Sequence, residues 1–195
     1  MDAARRNRPI ALAAALAGLL LAHPGPGHAA GDQGPPPFQG RQKTFTILKP
    51  PQPAPQMPLY TMKGGVTTLR GFRGRVVLLN VWATWCAACL HELPALKNLQ
   101  ARLGGDGFTV LAVSVDARGA DDVSPYLERL GITGLPIYLD PAGRTAEALG
   151  VYDGLPWTFV IDDEGRVMGY VMGTADWASP EAEALIRHYA RRVPR

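Results

Sequence analysis

Cysteine is scarce in this chain of 195 residues: Cys86 and Cys89 are the only two. Histidine is little commoner, with four, of which His91 and His188 alone lie beyond the first 29 residues. A tetrahedral zinc site needs four ligands, and there is no second cysteine pair to complete one. Long apolar runs are missing as well. The run at residues 10–22 spans about 13 residues, short for a membrane helix. Excess charge is also missing. The net +3 is mostly the leader's, whose three arginines and one aspartate contribute +2. The remainder is nearly balanced, which removes the electrostatic case for a nucleic-acid partner. No internal repeat is present.

What the chain does contain is concentrated in one stretch, Trp82-Ala83-Thr84-Trp85-Cys86-Ala87-Ala88-Cys89-Leu90-His91-Glu92-Leu93-Pro94. Before it, Val76-Val77-Leu78-Leu79-Asn80-Val81 reads as a buried parallel strand. After it, Leu90, Leu93, Leu96, Leu99 and Leu103 recur at spacings of three and four, which predicts an amphipathic helix. Cys86 therefore falls where a strand ends and a helix begins, with Cys89 one turn further in.

That position has a chemical consequence. Thiolates, not thiols, carry out disulfide exchange. The free N–H groups and positive dipole end of a helix favour a negative sulfur. Cys86 is expected to attack, and Cys89, three residues on and deeper, to attack second and close a Cys86–Cys89 disulfide. Two other uses of the pair stand beside redox work: half of a zinc site, and a structural disulfide, which across so small a loop restrains little of the unfolded chain. Glu92 lies one turn beyond Cys89. Partial burial against a sheet would raise its proton affinity toward neutrality and let it accept the Cys89 proton. The alternative is a solvent-facing helix glutamate.

The segment Trp82-Ala-Thr-Trp85-Cys86-x-x-Cys89, followed by Pro94, resembles the thioredoxin active site. Cys89-Leu-His-Glu92-Leu-Pro94 is similar, more narrowly, to exported thiol–disulfide oxidoreductases of the TlpA/ResA type. Gly154-Leu155-Pro156-Trp157-Thr158-Phe159-Val160-Ile161-Asp162 resembles the same family's cis-proline loop and following strand. The resemblance covers roughly residues 57–193. It implies a thioredoxin-like α/β three-layer sandwich: a mixed, mostly parallel sheet flanked by helices, with an N-terminal hairpin and a central strand–helix insertion near residues 120–150.

It also implies that Cys86, Cys89 and Glu92 are catalytic, and that Trp85, Leu155, Pro156 and Trp157 meet the substrate. Pro156 is expected to be cis, laying an extended backbone edge beside Cys86. Trp157, where relatives often have threonine, is either substrate-facing or core. Two departures stand out. Ala87-Ala88 occupies the space between the cysteines, where proline commonly precedes the second. Asn80 holds the strand position at which thioredoxin has a titrating acid, which strengthens the case for Glu92. Neither cofactor nor metal is implied. The expected partners are a disulfide-containing protein substrate and a membrane thiol donor of the DsbD/CcdA kind, with no nucleic acid. The implied activity is reduction of apocytochrome c or of copper-site cysteines. The alternatives are a disulfide-donating oxidant in protein folding, and a non-catalytic copper(I)-binding assembly factor with His188 as its only late histidine.

Residues 1–29 read as a signal peptide, placing the protein in the periplasm or another extracytoplasmic space; an uncleaved anchor that tethers it to the membrane is the alternative. Residues 30–56 read as a proline-rich linker, within which Phe45 and Ile47 could form a short strand or pack on the domain. The thioredoxin-like domain is expected over residues 57–193. Its opening hairpin is Leu59-Tyr60-Thr61-Met62 and Val66-Thr67-Thr68-Leu69 around Gly64-Gly65. Its last helix starts at Pro180, with Ser179 as cap.

Overall fold

Two strands composed almost wholly of apolar residues form the centre. In the computed structural model, which describes residues 34–190, β4 (Val76–Trp82) and β5 (Phe108–Ser114) are buried along their whole length. They pair in parallel from Val76↔Phe108 to Trp82↔Ser114. Strands with both faces covered need no polar alternation, hence the unbroken aliphatic runs. On the far side of β4 lies β7 (Trp157–Ile161), antiparallel, then β8 (Arg166–Met172) and β1 (Thr46–Pro53). Beyond β5 come β6 (Ile137–Leu139), β2 (Leu59–Thr61) and β3 (Val66–Thr67). The order is β1-β8-β7-β4-β5-β6-β2-β3. Among the described residues only the β4–β5 and β5–β6 ladders are parallel. The sheet is mixed, then, rather than mostly parallel, because the β7–β8 and β2–β3 hairpins and the incoming β1 each add an antiparallel ladder.

Alternation along β4 divides the core. Val76, Leu78 and Trp82 face α1 (Ala87–Leu103), α2 (Ala120–Arg129) and α4 (Pro180–Ala190), while Val77, Leu79 and Val81 share a cluster with Ala146 of α3 (Arg144–Ala148), Leu59 of β2 and Leu69 of the 3-10 turn Leu69–Phe72. From α1, Leu93, Leu96 and Leu99 are fully buried, each contributing about 1.5–3 kcal/mol. Ser179 does cap α4: its Oγ accepts the Ala182 N–H at 3.2 Å.

Residues 34–53, placed by sequence in the linker, lie on the sheet. β1 pairs with β8, and Phe38 and Phe45 are buried in the core. Residues 1–33, which include the leader, and residues 191–195 lie outside the described residues. No helix among the described residues is long and apolar enough to cross a membrane.

Candidate active site

Cys86 is the N-cap of α1, at φ −90° and ψ 95°, with its Sγ accepting the Cys89 N–H at 3.1 Å. Its sulfur thus receives one of the amide protons that a helix start leaves unpaired. The two cysteines are joined, S–S 2.07 Å and Cα–Cα 5.3 Å. Cys86 keeps 8% of its surface while Cys89 keeps none. Ala87 and Ala88 are exposed, so the inter-cysteine residues form the outer lip of the site.

The turn entering this helix is held from the neighbouring strand. Asp116, just past β5 and buried, accepts from Thr84 N (2.9 Å) and Thr84 Oγ1 (2.6 Å), and from Ser114 Oγ (2.7 Å). Sequence inspection missed Asp116. The only available signal is its position beyond the C-terminal end of a central parallel strand, where α/β folds gather their functional groups.

Glu92 is buried, 3% exposed, on the sheet-facing side of α1. Its Oε1 accepts the Ala175 N–H at 2.6 Å and the Trp177 indole N–H at 3.0 Å. Burial pushes its pKa up to about 7, and the hydrogen bonds from Ala175 and Trp177, with a weaker contribution from Asn80, pull it back only in part. Its Oε2 and the Asn80 Oδ1 are buried without hydrogen-bond partners among the described residues. Asn80 Nδ2 donates to Thr158 Oγ1 at 2.9 Å. Glu92 reaches a groove of about 580 Å³ shared with Arg41, Ala88, His91 and Asp176. Ala175 and Trp177 carried no signal in the sequence as partners of this carboxyl, since they lie more than 80 residues from it.

The remaining expected residues divide. Trp85, 69% exposed, and Leu155 line one largely apolar groove of about 250 Å³ with Val115, Ala146 and Tyr152. Tyr152 is exposed and went unnoticed in the sequence. Pro156, whose peptide bond with Leu155 is cis, borders a second depression of about 290 Å³ with Gln42 and Lys43. Trp157 lines the same depression but keeps only 9% of its surface, its ring stacking on Phe159 (5.9 Å) and Tyr170 (5.3 Å).

A family model described as AhpC/TSA matches residues 50–169. The chain belongs to the AhpC/TSA family. The chain is 36% identical over 121 residues to the thiol-disulfide oxidoreductase ResA of Geobacillus thermodenitrificans, covering 62% of this chain and 68% of that one. With ResA of Bacillus subtilis the identity is 32% over 140 residues, covering 72% and 73%. Among solved structures, a Chlorobium tepidum protein assigned as thiol:disulfide interchange protein DsbE aligns with TM-score 0.65 and 31% identity, over 72% of this chain and 96% of that one. This AhpC/TSA member has the thioredoxin-like fold and is a thiol–disulfide oxidoreductase of the ResA/DsbE type, with a C-x-x-C pair at disulfide distance.

Proposed function

We propose that this oxidoreductase works outside the cytoplasm as a reductant of protein disulfides, with Cys86 as nucleophile, Cys89 as resolving thiol and Glu92 as proton acceptor. The observation that carries the assignment is the seat of Cys86 at the start of α1, where its sulfur already accepts a helix amide. That environment favours a thiolate. The Cys86 thiolate attacks one sulfur of a target disulfide. A mixed disulfide forms, and the other target sulfur leaves as a thiolate that takes a proton from water. Cys89 then passes its proton to the Glu92 carboxylate and attacks Cys86 Sγ. The Cys86–Cys89 bond forms, the second target thiolate departs, and the target has gained two electrons. A carboxyl titrating at about 7 is matched to such a transfer at neutral pH.

Trp85 and Leu155 give a substrate segment an apolar surface beside Cys86, and Pro156 presents backbone without an N–H. The leader composition and the ResA/DsbE likeness support an extracytoplasmic site. The same likeness favours apocytochrome c or copper-site cysteines as substrate, and a DsbD/CcdA-like thiol donor for re-reduction.

Two measurements test this. A Cys89→Ser variant of the full chain, expressed in its host, is expected to trap mixed disulfides on Cys86, with partners identified by mass spectrometry. Recovering none while candidate partners are abundant would sink the exchange mechanism. Equilibration with glutathione is expected to give a reducing potential. A value near that of strong oxidants would reverse the proposed direction.

A further inference from the structure

We propose that residues 38–45 are a positioning element of the active site: Phe38, seated on the Trp177 ring, and Arg41, tied through its backbone to Thr174, hold the 174–177 turn against Glu92 and keep water from that carboxyl. The inference rests on Glu92 being the proton acceptor. Phe38 is 2% exposed, and its ring centroid lies 5.0 Å from that of Trp177 at 36°. The same indole donates to Glu92 Oε1, and Arg41 N donates to Thr174 O at 2.7 Å, one residue before the Ala175 amide that also serves Oε1. A single turn therefore faces the strap on one side and the carboxyl on the other.

The strap is itself pinned. Phe45 N donates to Phe38 O at 2.8 Å, Gly40 N donates to Lys43 O at 3.0 Å, and Phe45 packs edge-on against Tyr189 of α4. Its fit is close at Gly40. A Cβ there would come within 2.7 Å of Lys43 O and 2.8 Å of a Val171 methyl, so a side chain must displace the strap. Around Glu92 the other titratable or charged groups are Arg41 of the strap, Asp176 of the turn, and His91 and Cys89 of α1; the facing residue of β4 is the uncharged Asn80.

Two parts of the arrangement act on Glu92 in opposite senses, which makes the assignment testable. Hydrogen bonds to Oε1 favour the carboxylate, while exclusion of water disfavours it. Titration of the Glu92 carboxyl by 13C NMR, in the oxidised full-length protein, reads both. Trp177→Phe keeps the ring and removes the N–H, and is expected to raise the midpoint by about one pH unit. Phe38→Ala admits water, and is expected to lower it by about one unit, with Phe38→Leu close to wild type. If Phe38→Ala does not fold, Gly40→Ala, which lifts the strap, should give the same downward shift. The Trp177 indole N–H resonance, followed alongside, reports whether the turn stays on Glu92, and a folded Phe38→Ala or Gly40→Ala protein in which neither that resonance nor the midpoint moves overturns the positioning role. Failure of the underlying assignment has a different signature: Glu92→Gln would leave the pH profile of Cys89 alkylation in the reduced protein unchanged, whatever the strap variants do.

Discussion

Glu92 is mostly uncharged below about pH 7 and mostly charged above it, and the folded state is sensitive to the difference. Its folded pKa lies above the ordinary 4.5 because burial penalises the anion. The unfolded chain therefore gives up this proton first. The stability tied to Glu92 is complete below about pH 4.5 and is lost as pH rises through about 7, a total of roughly 3 kcal/mol. Denaturant unfolding of the oxidised protein should show that decline between about pH 4.5 and about pH 7, and Glu92→Gln should flatten it. Parallel curves for the two proteins would contradict the assignment. Residues in the C-x-x-C neighbourhood were legible in the sequence because helical spacing alone places Cys86, Cys89 and Glu92 relative to one another. Their partners were not. Ala175 and Trp177 reach Glu92 across more than 80 residues of chain, and Asp116 reaches Thr84 across 32. Periodicity holds no information at that range.

At the level of elements, the catalytic helix is aimed by the end of β5. Asp116 gathers the Thr84 amide, the Thr84 hydroxyl and the Ser114 hydroxyl on one buried carboxylate. Hydrogen bonds to a charged group are worth about 1.5–3 kcal/mol each, and they are coupled here. Asp116→Ala is expected to lower stability by about 2–3 kcal/mol. It should also slow reduction of a model disulfide, because the turn that seats Cys86 loses its clamp. Thermal melts and stopped-flow exchange check the two effects separately. The leucine spacing of α1, the aliphatic run of β4 and the opening hairpin all read directly from the sequence. β1 did not. A proline-rich edge strand and a polyproline spacer are both extended and both poor in N–H donors, so composition does not separate them. What decides between them is pairing with β8, a long-range event.

For the molecule as a whole, the sheet runs from β1 to β3 and its integrity depends on residues far upstream of the C-x-x-C helix. A chain started at Met57, where the sequence suggests the domain begins, would lose β1, Phe38 and Phe45 together. Large aromatic truncations cost about 3–5 kcal/mol each, so such a chain is expected to be destabilised by at least about 4 kcal/mol relative to one started at Gly34. Urea midpoints of the two would settle it, and equal midpoints would mean that the N-terminal segment is dispensable.

The two flanks of that sheet carry a further consequence. One border strand holds Lys49, Pro50, Pro51 and Pro53, and the other is two residues long. Neither presents the row of free donors on which a foreign chain could stack and propagate. An enzyme whose partners are cysteine-bearing polypeptides must meet exposed backbone repeatedly, and its blunted borders guard it against being drawn into their aggregates.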